Sequence, residues 1–149
     1  MINIFDLHND YFMEIKSKNK KDRYLLAQNK NGLKNIISAI WTTELKQENQ
    51  IFSTIENCKK YSIEHNINFS VEDLHFVTHQ NIDELIKLKP IYAGLVWNNS
   101  NSIAGGAYSV DSITKFGENI INKLENSNIQ IDTAHLNEKS YHNSLKHNH

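Results

Sequence analysis

Near its start the chain carries a histidine and a carboxylate two residues apart, His8 and Asp10, directly after the apolar run Ile2–Leu7. Side chains alternate along a strand, so an imidazole and a carboxylate at that spacing leave the same face and can share a cation. Alone the pattern is weak, because a His and an Asp two apart also occur as a solvated surface pair. Its weight comes from Glu72 and His135, each of which follows another apolar run. Two imidazoles and two carboxylates form a donor set for a divalent metal ion, provided the fold brings them to one place.

The elements that must do so alternate along the chain. Ile2–Leu7 reads as a strand, Ile36–Thr42 as a buried strand, Gln47–His65 as a helix, and Ile67–Val71 as a strand ending at Glu72. Asn81 is placed to cap a helix that runs to Leu88, with Asp83 and Glu84 in its first turn and Pro90 as its stop. Ile91–Trp97 reads as a fourth strand, followed by a long polar loop with Gly105-Gly106. Ser112 is placed to cap the helix Ile113–Glu125, Ile129–Thr133 reads as a fifth strand, and Asn137–Leu145 as a last helix. Strands separated by helices predict parallel βαβ units, whose ligands gather at the carboxyl ends of the strands. His8, Asp10, Glu72, Trp97 and His135 all fall at such ends. Five strand ends approach one another only in a curved sheet, so the reading is an α/β chain forming an incomplete (β/α) barrel of about five βα units.

Composition bounds the alternatives. At 149 residues the chain is expected to form a single domain over 1–149, short of the ~250 residues of a closed eight-stranded α/β barrel. Residues 14–31 read as a polar insertion with a short helix at Lys21–Gln28. Sixteen basic residues nearly balance seventeen acidic ones, and the cluster Lys16, Lys18, Lys20, Lys21 and Arg23 lacks interleaved aromatics, so no nucleic-acid partner is expected. The single cysteine, Cys58, excludes an internal disulfide and reads as a packing residue. No segment is apolar for long enough to span a membrane, and a strand beginning near Met1 leaves no room for a signal peptide, which predicts a cytoplasmic protein. His65, His75, His79, His142, His147 and His149 read as exposed and receive no role.

Five blocks of the sequence resemble the membrane (renal) dipeptidase family of zinc peptidases. Asp6-Leu7-His8-Asn9-Asp10 is similar to the family's Asp-Gly-His-Asn-Asp opening, and Val71-Glu72-Asp73-Leu74-His75 stands where that family has Ile-Glu-Gly-Gly-His. The stretch from Leu95 to Gly106, with Trp97, Asn98 and Asn101, looks like its bacterial Leu-Thr-Trp-Asn-x-x-Asn block. Ile113-Thr114-Lys115-Phe116-Gly117 resembles a Leu-Thr-x-x-Gly helix start, and Ile131-Asp132-Thr133-Ala134-His135 an Ile-Asp-Leu-Ser-His strand. The resemblance implies a barrel with two zinc ions that hydrolyses dipeptides. It makes His8 and Asp10 ligands of the first zinc, Glu72 the catalytic bridging carboxylate, and His135 a ligand of the second. A water acidified by the two metals would be the nucleophile. Trp97 and Asn98 become candidates for the substrate pocket. Asp132 reads as an orienting partner for a metal-bound imidazole or as a strand-end hydrogen-bonder, not as a ligand.

The sequence also departs from that pattern. Trp97 stands where animal members carry a substrate-binding His, and Asp73 and Leu74 replace two glycines beside the bridging ligand. The family's next zinc-binding His, its substrate-binding Arg and a further Asp have no counterpart before His149. The expectation is therefore the amino-terminal part of a dipeptidase-like protein, with one zinc retained more readily than two. It would act with a complementary carboxyl-terminal fragment or as a homo-oligomer. The rival readings are a non-catalytic, partner-dependent half-barrel and a different amidohydrolase-type metal enzyme.

Overall fold

A computed structural model describes residues 4–14 and 33–147. The insertion read at 14–31 with its helix, the basic cluster and His149 lie wholly or almost wholly outside those residues. Five strands form the sheet: β1 (Ile4–Asn9), β2 (Leu33–Trp41), β3 (Asn68–Glu72), β4 (Tyr92–Gly94) and β5 (Gln130–Asp132). The helices are α1 (Tyr11–Glu14), α2 (Glu48–His65), α3 (Ile82–Leu88), α4 (Lys115–Asn126) and α5 (Glu138–Ser144). All strand pairs are parallel in the order β1-β2-β3-β4-β5. That is the outcome expected when each strand returns to the sheet through a helix.

Register sorts the side chains into two faces. Trp41, Glu72, Gly94 and Asp132 pair across β2 to β5 and line one row. The next row, Ile40, Val71, Ala93 and Ile131, faces the opposite way into the core packed under the helices. The row holding Glu72 lies on the inside of a curled sheet. Tyr92 of β4 proves the curl, because its hydroxyl reaches the Leu7 carbonyl of β1 at 2.9 Å. In a flat sheet β1 and β4 are three strand spacings apart, ~14 Å, beyond the reach of a tyrosine. The described residues form an incomplete (β/α) barrel of five βα units.

Local chemistry explains where elements end. Helix α2 buries Ile51, Phe52, Ile55 and Tyr61 and stops at Asn66, which takes a left-handed backbone with φ of 53°. Helix α3 stops at Lys89, φ 58°, with Pro90 immediately after. Asn81 precedes α3 but gives it no side-chain cap; its oxygen accepts from Thr78 N and its amide donates to Phe76 O instead. Helix α4 begins later than Ser112 because Thr114 is the residue whose hydroxyl accepts from Gly117 N at 2.9 Å. Ser112 is occupied by Asn143 of α5. Gly117 has a packing reason: a Cβ there would lie 2.1 Å from the Ile103 carbonyl oxygen, so only glycine lets α4 rest on the loop. The fourth strand is shorter than its apolar run, since Leu95 and Val96 leave the sheet although both stay buried.

The edge strand β1 is irregular. Its register jumps between Asp6 and Asn9, so that Leu7 and His8 have no paired residue on β2. Phe5 and Leu7 stay 62% and 66% exposed, whereas every apolar residue of β3 is buried. No helix among the described residues is long and apolar enough to cross a membrane.

Candidate metal centre

Glu72 ends β3 with its carboxylate inside the curl and only 7% of the residue exposed. Three side chains from two other strand ends close on its two oxygens. His135 Nε2 lies 2.9 Å from Oε1. On the other side His8 Nε2 lies 3.9 Å from Oε2 and 3.9 Å from Asp10 Oδ1. One ligand atom each from His8, Asp10 and Glu72 falls within 4.8 Å of the others. Two ligands of a tetrahedral zinc ion, with bonds near 2.0–2.1 Å, stand ~3.3 Å apart, so the His8–Asp10 and His8–Glu72 pairs, each at 3.9 Å, need to close by about half an ångström around an ion. The donor set fits a divalent cation. Burial pushes the Glu72 carboxyl above its ordinary range; His8 and His135 pull it back, while Asp10 and Asp132 add to the push.

Each imidazole is held by its other nitrogen. His135 Nδ1 is 3.2 Å from Asn98 Oδ1, and His8 Nδ1 is 2.9 Å from the Tyr92 hydroxyl. Asn98 thus lies against His135, one of the two places read from sequence for Asp132. Asp132 makes the other contact, a strand-end hydrogen bond, accepting from Ala134 N at 2.9 Å in the turn that precedes His135. That turn closes with Leu136 N on Thr133 O and puts His135 in the left-handed region, φ 67°. It is clamped from outside by Asn137 N on Gly105 O and by a Gly106–Leu136 bridge. Trp97 is half-buried, with its ring 6.0 Å from that of His135 and 5.2 Å from that of Trp41. The two indoles make an apolar wall beside Glu72.

Beneath this rim lies a polar knot centred on Asp73. Its backbone is left-handed, φ 70°, which explains a glycine-like position, and Asp is among the residues that tolerate it. The buried carboxylate accepts from Thr43 Oγ1 at 2.8 Å, Asn101 Nδ2 at 3.1 Å and His75 N at 3.2 Å. His75 Nδ1 is a further 3.2 Å neighbour, and its Nε2 reaches Leu45 O. His75 is therefore half-buried and engaged, not the exposed histidine expected from sequence. Asn101 also donates to Leu95 O and accepts from Ile103 N and Ala104 N. One residue pair thus ties together the loops after β2, β3 and β4. Sequence reading missed Asp73, Asn101 and Tyr92 as parts of the site's support. An inward position two residues before Gly94 was the available signal for Tyr92.

The fold matches three crystal structures over 97% of the chain. One is dipeptidase AC, a metallopeptidase, with a TM-score of 0.76 and 15% identity. Another is a metallopeptidase from Rhodobacter sphaeroides liganded with a phosphinate mimic of the dipeptide L-Ala-D-Ala, at 0.73 and 13%. The third is an amidohydrolase from Pseudomonas aeruginosa, at 0.74 and 13%. The chain spans 60%, 62% and 50% of the lengths of those proteins, respectively. No protein-family model and no curated protein matches the sequence.

Proposed function

We propose that this chain carries the metal-binding part of a zinc-dependent dipeptidase. The observation that carries the reading is the convergence of His8, Asp10 and His135, from the ends of two strands more than a hundred residues apart, on both oxygens of the buried Glu72 carboxylate. The fold shared with a dipeptidase and with a metallopeptidase that takes a dipeptide mimic gives that convergence its chemistry. His8, Asp10 and Glu72 Oε2 would hold one cation, and Glu72 Oε1 with His135 would contribute to a second. A divalent ion held there would lower the pKa of a coordinated water and polarise the carbonyl of the bond to be cut.

The chain's own residues do the rest. Glu72, as a carboxylate, spans two positions with one charge, which an amide cannot do. Burial of the Glu72 side chain strengthens its interaction with any cation by excluding water. The Trp41–Trp97 wall offers an apolar surface to a substrate side chain, beside the amide-bearing Asn98. No arginine stands among the described residues to anchor a substrate carboxylate. The exposed Phe5 and Leu7 on an irregular edge strand favour a partner-dependent half-barrel as the form of the site that awaits completion.

A dipeptide panel assayed with added zinc tests the proposal. The expected result is no turnover by the 149-residue chain alone and turnover when a complementary barrel-closing fragment is supplied, abolished by Glu72→Gln. Turnover by the chain alone that survives Glu72→Gln would remove Glu72 from the chemistry.

A further inference from the structure

His8 and Tyr92 come from strands three positions apart in the sheet, and they meet because the sheet curls. The Tyr92 hydroxyl lies 2.9 Å from the Leu7 carbonyl oxygen and 2.9 Å from His8 Nδ1, with the Ser70 side chain as a further neighbour able to donate to the phenol's second lone pair. A carbonyl only accepts, and a hydroxyl has one proton to give. If that proton went to His8 Nδ1, the Leu7 oxygen would face the lone pairs of the phenol. Both contacts are satisfied together in one arrangement: Tyr92 donates to Leu7 O and accepts from His8 Nδ1–H. A neutral imidazole protonated at Nδ1 carries its lone pair on Nε2, the atom that faces Asp10 and Glu72. Leu7 and His8 are also the residues that the β1 register skips, so the ladder to β2 does not by itself fix them.

We propose that Tyr92 is a positioning residue for the His8–Asp10–Glu72 cation site: from across the barrel it fixes the His8 tautomer and pins the irregular end of β1, presenting Nε2 ready to bind. This rests on the reading of that trio as a metal site. It adds to that reading a residue on β4, a strand that supplies none of the ligands.

Two measurements test it. In the metal-free chain labelled with 15N-histidine, at about pH 8.5 where imidazoles are neutral, two-bond 1H–15N NMR reads the tautomer. The His8 signal, identified by its loss in His8→Gln, is expected to show protonated Nδ1; protonated Nε2 overturns the proposal without any variant of Tyr92. Zinc affinity by chelator competition is then compared between wild type and Tyr92→Phe, with circular dichroism as the check on folding. The expected loss is 10–100-fold, the range seen when a ligand's outer partner is removed. Affinity within twofold of wild type overturns the proposal and leaves the metal reading standing. A wild-type chain that binds no zinc overturns the metal reading itself, and the proposal with it.

Discussion

The two oxygens of Glu72 look out on unlike halves of the rim. On the Oε1 side His135 sits in a turn clamped by the loop after β4, its ring held by Asn98 and flanked by Trp97. That loop is itself tied down through Asn101 and Asp73. On the Oε2 side His8 and Asp10 come from an irregular edge strand whose neighbours Phe5 and Leu7 are bare, with Asp10 exposed. The well-scaffolded side offers one ligand besides Glu72, and the poorly scaffolded side offers two. Ligand number and rigidity are thus distributed oppositely. Affinity for a first ion should follow ligand number, whereas stability of the fold should follow the scaffold.

The largest effect expected on the scaffold comes from Asp73. Asp73→Ala removes the shared acceptor of Thr43, Asn101 and His75 and leaves a left-handed backbone on a residue that resists it. A loss of about 3–4 kcal/mol is expected in urea unfolding. Asp73→Gly should recover about 1 kcal/mol of that by relieving the backbone. Equal losses for the two variants would show that the backbone conformation matters little.

Gly117→Ala comes next, with a Cβ forced against the Ile103 carbonyl and an expected loss of about 2–3 kcal/mol. A neutral result would mean that α4 can lift from the loop without consequence. On the edge strand the same kind of change should matter far less to folding. Phe5→Ser and Leu7→Ser expose no new cavity, so each should shift stability by less than about 0.5 kcal/mol. Together they should shift sedimentation toward monomer, because an uncovered edge and apolar surface promote self-association. Unchanged association would place the sticky surface elsewhere.

The smallest effect is expected at Cys58. Burial pushes its thiol up to about 11, so it stays protonated at pH 8. Labelling by a disulfide reagent should be slow there and rise as pH climbs toward that value. Cys58→Ala should leave zinc affinity within twofold of wild type. Fast labelling at pH 8 would mean that the region around α2 opens readily.

Much of the architecture was legible because it rests on local pattern. Apolar runs separated by amphipathic helices announced five parallel units, and the strand ends picked out where His8, Glu72 and His135 would stand. The errors have physical causes. Ser112 and Thr114 are both fit to cap a helix, and packing of Gly117 on Ile103 decides between them. Leu95 and Val96 continue an apolar run past the end of β4 because the core, not the ladder, buries them. The support of the site was not legible, since Tyr92 reaches His8 only through curvature and Asn98 reaches His135 only through the loop's path. Asp73 was readable as a residue in place of glycine, but not as the acceptor that joins three loops.

Zinc stoichiometry after exhaustive dialysis, compared among wild type, His8→Ala, His135→Ala and Glu72→Gln, tests the central claim directly. Ligand number predicts one retained ion per chain in wild type, still retained by His135→Ala and lost from both His8→Ala and Glu72→Gln. Retention by His8→Ala with loss from His135→Ala would move the first site to the Oε1 side and contradict the account, as would a wild-type chain that holds no ion.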